Sequence, residues 1–245
     1  MKSVLVQCWL GGSEVMNLGE WFIEIILAKF GYATRYNTRG RIEDDEPVLM
    51  VIGSDFHSKF LNQQLAELDA RPREIHVWGA GNGRGPGFEV RNDPRVVVHA
   101  VRGSLTAEWN GCGFVPTCDP GFLLPWAMPI EREPSGEVLY VPHWTERGVA
   151  EQEASIAAKW GATACIDVMM RRDDVAPTIR RLVHANRVIT SAMHAYILCL
   201  AYGVPVSHTF SVLPWKWQDM FSSLSIVNRQ RLIDSFPHFL ARKTQ

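Results

Sequence analysis

The sequence predicts an α/β fold built on parallel sheets. Two patterns carry this expectation. Short, wholly apolar runs recur along the chain, as strands covered on both faces require. They alternate with longer segments whose apolar residues fall at helical spacing, the order that builds βαβ units. A third pattern adds to it: polar and glycine-bearing loops follow the apolar runs, where open parallel sheets place their ligands.

The elements follow in order. Val4–Trp9 reads as a first strand, followed by a loop at Gly11-Gly12-Ser13. Asn17 reads as a helix N-cap, with Glu20 as the reciprocal acid of a capping box. Leu18, Trp21, Phe22, Ile25, Ile26 and Lys29 then fall at helical spacing, and Gly31 supplies the stop. Val48–Ile52, Ile75–Trp78, Val96–Val101 and Phe114–Thr117 read as further strands. Prolines at 125, 129 and 134 mark residues 125–136 as a link. Beyond it, strands are expected at Val138–Val141, Ala164–Val168, Val188–Thr190 and Val204–Ser207. Helices are expected at Ala150–Trp160, Val175–Val183 and Ala192–Tyr202, the last capped by Ser191 and stopped by Gly203. The expected division is an N-terminal lobe over 1–125, a second lobe over 137–215, and a helical tail over 216–245 that packs back on the first lobe.

Composition narrows the function. The 245 residues are 47% apolar and 21% charged, with a net charge of −1. A chain of this size buries about 70% of its unfolded surface and needs no staples. The charge balance argues against a nucleic-acid binder. Cys8, Cys112, Cys118, Cys165 and Cys199 include no Cys-x-x-Cys pair, which argues against a zinc site and for a reducing compartment. The start, Met1-Lys2-Ser3-Val4-Leu5-Val6, does not read as a signal peptide. No apolar run approaches the roughly 20 residues of a membrane helix. A cytoplasmic protein is expected, with peripheral membrane contact left open.

Unusual residues cluster at the expected carboxyl ends of strands. The loop Gly79-Ala80-Gly81-Asn82-Gly83-Arg84-Gly85 lacks the lysine of a P-loop, but its amides could approach an anion; a plain surface turn is the alternative. Arg102 could grip a carboxylate or phosphate with both prongs, or form a salt bridge to a local acid. His194, in the first turn of a helix, could donate to an anion or move a proton, or simply pack. His143 could meet a ligand oxygen or cap its turn. Asp119 could act as a base or shape the turn at Pro120-Gly121. Trp215 and Trp217 flank Lys216 and could stack on a sugar, with core packing the favoured alternative for the tryptophans.

Taken together, these stretches resemble the polysaccharide pyruvyl transferase family, and most of all its xanthan-type ketal pyruvate transferases. The matching segments are Asn17-Leu18-Gly19-Glu20, Val51-Ile52-Gly53-Ser54, Val77-Trp78-Gly79-Ala80-Gly81, Val101-Arg102-Gly103, Asp119-Pro120-Gly121, Val141-Pro142-His143, Ser191-Ala192-Met193-His194 and Ala201-Tyr202-Gly203-Val204-Pro205. The resemblance implies two Rossmann-like lobes in a glycosyltransferase-B-like arrangement with a cleft between them. It implies phosphoenolpyruvate as donor substrate, no cofactor and no essential metal. The product would be a pyruvate ketal, commonly 4,6-linked, on a hexose of a surface polysaccharide or a lipid-linked oligosaccharide precursor. The sequence departs from the family at Ala192, where many members carry arginine; Arg84, Arg187 or Lys216 could supply that charge. It also has Glu20 for the usual aspartate and Cys118 for the usual glycine.

The roles expected on this basis are as follows. Arg102, Gly79, Gly81, Asn82, Arg84, Ser191 and His194 bind the donor. His194 is the proton donor, and His143 or Asp119 the base. Asn17, Trp144, Trp215 and Lys216 meet the acceptor. A two-lobed nucleotide-sugar glycosyltransferase and a non-catalytic glycan-binding relative are the alternatives.

Overall fold

Two parallel sheets organise the chain in the computed structural model, which describes residues 2–8, 13–36, 47–59, 61, 74–87, 90, 93–146, 148–210, 214–224 and 226–241. The first sheet holds β1 (Lys2–Gln7), β3 (Tyr32–Tyr36), β4 (Val48–Met50), β5 (Ile75–Trp78) and β6 (Val96–Ala100). Its order is β3-β1-β4-β5-β6, and every pairing is parallel. The second holds β7 (Val138–Val141), β8 (Ala164–Cys165), β10 (Arg187–Thr190) and β11 (Val206–His208) in the order β11-β10-β7-β8, again all parallel. A separate antiparallel pair joins β2 (Val15–Asn17) to β9 (Met169–Arg171). The mixed α/β class with parallel sheets is therefore observed.

Contacts divide the chain into two compact units. The first comprises Met1–Gly12, Ile26–Pro120 and Leu213–Gln245; the second comprises Ser13–Ile25 and Gly121–Val212. Helix α1 (Leu18–Lys29) begins among the residues of the second unit and ends among those of the first. The short sheet β2–β9 explains why residues 13–25 group with a segment far downstream: Val15, Met16 and Asn17 pair with Arg171, Met170 and Met169.

The first unit is closed by its C-terminal residues. Trp217 and Met220 of α7 (Trp215–Phe221) and Leu232 and Phe236 of α8 (Ile226–Ala241) are buried. Phe236 stacks on Phe30 at 3.7 Å between ring centroids and meets Trp78 edge-on at 4.8 Å. The Trp78 indole donates to the Leu232 carbonyl at 3.2 Å and to the Ser235 hydroxyl at 3.0 Å.

A polar tie accompanies this apolar one. The side chains of Arg102 and Asp219 are both wholly buried, and Nε of Arg102 donates to Oδ2 of Asp219 at 2.9 Å. The same carboxylate accepts the Thr106 hydroxyl at 2.7 Å and the Thr106 amide at 2.8 Å. It thereby caps helix α2 (Ser104–Trp109), whose own N-cap, Gly103, has no side chain. Gly103 is required here, since a Cβ would stand 1.8 Å from the Asp219 carbonyl oxygen.

The structure departs from several sequence expectations. β2, β3 and α2 were not foreseen: the first is three residues long, the second a part-exposed edge strand, and the third takes its cap from 113 residues away. Phe114–Thr117 is not a strand. Only Thr117 bridges Val101, and Phe114 is fully exposed. Leu124–Ala127, expected at the start of a link, is a helical turn, α3. The remaining helices are α4 (Ala150–Trp160), α5 (Arg172–His184) and α6 (Met193–Tyr202). Among the described residues, no helix is long and apolar enough to cross a membrane.

Removing one member of a buried ion pair leaves the other charged and unanswered, which costs about 3–5 kcal/mol. Asp219→Ala is therefore expected to lower the urea-unfolding free energy by about that amount. It should also strip hydrogen-exchange protection from Ser104–Trp109. A loss below about 1 kcal/mol would show that the pair is not the tie described.

Candidate functional site

The second unit gathers its polar side chains at the carboxyl ends of its strands, the edge at which open α/β sheets bind ligands. His143 follows β7. Its amide donates to the Ser191 hydroxyl at 2.7 Å, and its Nδ1 lies 2.8 Å from the Thr145 hydroxyl. Trp144, part-exposed, lies 5.7 Å from the His143 ring between centroids. Ser191 follows the neighbouring strand β10 and donates its hydroxyl to the Glu146 carboxylate. Gln152 of α4 donates to the same carboxylate oxygen at 3.3 Å and to the Tyr140 hydroxyl at 3.1 Å. Burial first, and then the Glu146 charge, push the Tyr140 phenol above its ordinary range, so it stays neutral at physiological pH.

Ser191 is thus not the helix cap that was expected. The N-cap of α6 is Ala192, and no side chain caps that helix. The Thr190 hydroxyl instead accepts the Ala192 amide at 2.9 Å and donates to the Val141 carbonyl at 2.6 Å, which ties the ends of β10 and β7 together.

Two helix starts meet at His194. Asn17 and Glu20 form the capping box that the sequence predicts: Oδ1 of Asn17 accepts the Gly19 amide at 3.0 Å, and Glu20 accepts the Asn17 amide at 3.4 Å. The Leu18 amide donates to the Val168 carbonyl at 2.7 Å, and the Trp21 indole to the Met170 carbonyl at 3.0 Å. These contacts hold the first turn of α1 against the β9 segment. His194, half-buried in the first turn of α6, packs onto Gly19 and meets Phe22 edge-on at 6.2 Å. A Cβ on Gly19 would lie 2.1 Å from Nδ1 of His194, so only glycine admits the imidazole there. The positive ends of two helix dipoles therefore converge on one imidazole, a setting that favours an anion.

The other expected site residues lie in the first unit, and several have structural duties. Arg102 does not present its guanidinium to an external anion. Besides Asp219, it donates to the Gly53 carbonyl at 3.3 Å, the Ser54 hydroxyl at 3.0 Å and the Asn82 carbonyl at 3.2 Å. The glycine loop is packed around it. A Cβ at Gly81 would meet the Arg102 guanidinium at 2.3 Å, and one at Gly79 would meet the Pro120 ring at 2.2 Å. The loop amides are spent internally. Gly79 donates to Ala100, Gly81 to Gly53, Gly83 to Ser54, and Asn82 to the Thr106 hydroxyl. The amides of Arg84 and Gly85 donate to Oδ1 of Asn82. The cradle of amides expected for an anion is thus a cradle for an arginine.

Asp119 is wholly buried. Trp215 rests on Gly85 and meets Trp109 edge-on at 5.0 Å, with part of its ring exposed, while Lys216 beside it is half-buried. Arg84 is exposed. Arg187 starts β10, at the strand end opposite His194; it donates to Ser207 at 2.8 Å and covers the Trp160 ring at 4.9 Å.

Sequence reading missed Glu146 and Gln152, which hold Ser191 and Tyr140. The available signal was position: Glu146 lies in the loop directly after a buried strand, three residues beyond His143.

No protein-family model matches the chain. Over 177 residues it is 27% identical to the succinoglycan biosynthesis protein ExoV of Rhizobium meliloti (strain 1021). That stretch is 66% of this chain and 52% of the relative, so the chain spans about half the length of the curated relative it matches. The fold is similar to that of a functionally uncharacterized protein from Klebsiella pneumoniae subsp. pneumoniae NTUH-K2044, known from its crystal structure. The TM-score is 0.57 at 16% identity, over 93% of this chain and 89% of that one, a likeness of fold alone.

Gly19→Ala forces the His194 ring to move and is expected to cost about 1–3 kcal/mol in urea unfolding, as overpacking does. An unchanged His194 ring resonance would contradict the contact. Separately, His57 is held neutral down to about 4 by burial, then by Arg84 and Lys59. Its folded value lies below the unfolded one, so the unfolded chain binds more protons between about pH 6.5 and 4 and stability falls with pH across that window. His57→Gln should flatten this part of the stability profile, and an unaltered slope would exclude His57 as its source.

Proposed function

We propose that the protein transfers the pyruvyl group of phosphoenolpyruvate to a hexose of a surface polysaccharide, or to its lipid-linked precursor, forming a pyruvate ketal. The observation that carries this reading is the convergence of two helix starts on His194, beside the His143–Ser191–Glu146 network. The chain's 27% identity to a succinoglycan biosynthesis protein supports a role in exopolysaccharide assembly. The reading retains the two Rossmann-like lobes and glycosyltransferase-B-like arrangement that the family resemblance implies. It also takes the reaction to occur in the cytoplasm, with peripheral contact at the inner membrane face.

The chemistry consumes two hydroxyls and one enol phosphate. Protonation of the methylene makes C2 electrophilic. One hydroxyl oxygen bonds to C2, the C2–O–phosphate bond breaks, and phosphate departs with the electron pair. The second hydroxyl oxygen then bonds to C2 and closes the ring. Of the two hydroxyl hydrogens, the balance places one on the new methyl group and one on hydrogen phosphate. His194 is the proton donor in this scheme. The helix starts at Leu18 and Met193 offset the donor's negative charge, which shifts as phosphate departs. The Ser191 hydroxyl orients the Glu146 carboxylate, which joins His143 as a base toward the acceptor hydroxyls. Trp144 and Asn17 meet the acceptor. Arg102, Gly79, Gly81 and Asn82 act as a rigid support, and Arg84, with Lys216 and Trp215, remains the first unit's exposed candidate for ligand contact.

Phosphoenolpyruvate at about 100 times its dissociation constant should stabilise the protein by about 2.7 kcal/mol, which a thermal melt detects. His194→Ala should leave the protein folded while lowering turnover by about 10²–10⁴-fold. Turnover close to the wild type would remove His194 from the mechanism. A melt that responds to a uridine diphosphate sugar, and not to phosphoenolpyruvate, would replace pyruvyl transfer with glycosyl transfer.

A further inference from the structure

Beside the His143–Ser191–Glu146 network, the second unit carries a groove of about 570 Å³ with which the mechanism above does nothing. That volume is within the range of small-ligand sites. Its apolar lining comes from Val15, Ile166, Met169 and Pro177. Its polar lining includes Asp167, Asp174 and Thr178, at the end of β8 and along α5. Pro177 lies inside α5 and has no amide hydrogen, so it offers the groove no donor. The lining is therefore rich in hydrogen-bond acceptors set against an apolar patch.

Two arginines also line the groove, and both are answered locally. Arg181 holds Glu137 with two prongs, at 2.7 Å and 3.1 Å, and Arg171 lies 3.2 Å from Glu14. Asp167 accepts the Met169 amide at 2.8 Å, and with Asp174, Glu14 and Glu137 it sets four carboxylates around two guanidinium groups, an excess of negative charge that repels an anion. Phosphoenolpyruvate and nucleotide sugars are thereby disfavoured. A neutral ligand with many hydroxyl donors and an apolar C–H face fits both halves of the lining.

Two strand pairings link the lining of the groove to the candidate site. Cys165, at its edge, is the strand partner of Tyr140, whose hydroxyl receives the Gln152 bond of the Glu146 network. Met169 is the strand partner of Asn17, the cap of the helix turn on which His194 rests.

We infer that the groove lined by Val15, Met169, Asp167, Asp174 and Thr178 is a subsite for neutral sugar residues of the acceptor oligosaccharide, next to the hexose that reacts. This rests on the pyruvyl-transfer reading for its purpose, but its test does not.

The probe is a neutral oligosaccharide released from succinoglycan by hydrolysis and separated from any charged species by ion exchange. Saturation-transfer NMR is recorded with the wild type, Asp174→Arg and Thr178→Trp, and each protein is melted with and without phosphoenolpyruvate. The inference expects saturable transfer to sugar protons in the wild type and an affinity weakened by about tenfold or more in both variants. Melting temperatures without ligand, and the response to phosphoenolpyruvate, should match those of the wild type. Equal binding by all three proteins, or none by the wild type, would overturn the subsite. If the wild type binds the oligosaccharide through the groove but ignores phosphoenolpyruvate, the subsite stands and the pyruvyl-transfer reading falls. If Asp174→Arg melts early, Thr178→Trp decides alone, because it fills the groove without adding charge.

Discussion

A buried charge must find its opposite within the protein, and in the first unit that requirement falls on Arg102 and Asp219. Neither side chain has any exposure. Satisfying the guanidinium recruits the Gly53 and Asn82 carbonyls and the Ser54 hydroxyl; satisfying the carboxylate recruits the hydroxyl and amide of Thr106. Space for the pair dictates glycine at 81 and 103. One interaction thus joins the ends of β4, β5 and β6 to the C-terminal helix α7. It also explains why a loop with the composition of an anion cradle has its amides turned inward.

The second unit is organised on a different contact with a similar logic. Gly19 lets the His194 imidazole stand where a methyl group would otherwise be, and the Asn17–Glu20 capping box fixes the turn that presents that glycine. The sheet β2–β9 holds the turn in place from the other side. Beside it, Thr190 and Ser191 tie the ends of two parallel strands together and place Glu146 against a hydroxyl. An imidazole held by packing at the start of a helix and a carboxylate held by hydrogen bonds in the loop after β7 are the preorganised groups that the proposed proton transfer needs.

What the sequence showed and what it hid have physical causes. Ile75–Trp78, Val138–Val141 and Ala150–Trp160 have the bounds expected, because each is long enough to display its period and is closed by glycine, proline or charge. The capping box at Asn17 and Glu20 was legible because its partners are three residues apart. Ser191 was misread because its preferred acceptor, Glu146, lies 45 residues earlier, and a hydroxyl beside a carboxylate need not turn to cap a helix. For Arg102 the salt-bridge alternative was open from the start, but its acid is 117 residues away, and no local spacing could name it. Tyr32–Tyr36 escaped notice as a part-exposed edge strand with Thr34 and Arg35 inside it. Val15–Asn17 and Ser104–Trp109 are too short for periodicity and exist through distant partners.

The proposed chemistry takes place at the carboxyl edge of the second sheet, with phosphoenolpyruvate as donor and a neutral sugar as acceptor. Its most direct test is the NMR spectrum of an oligosaccharide incubated with the protein and phosphoenolpyruvate. The account predicts the methyl singlet of a pyruvate ketal, appearing in step with one equivalent of inorganic phosphate. An oligosaccharide that stays unmodified by phosphoenolpyruvate, yet gains a hexose from a nucleotide sugar, would contradict it.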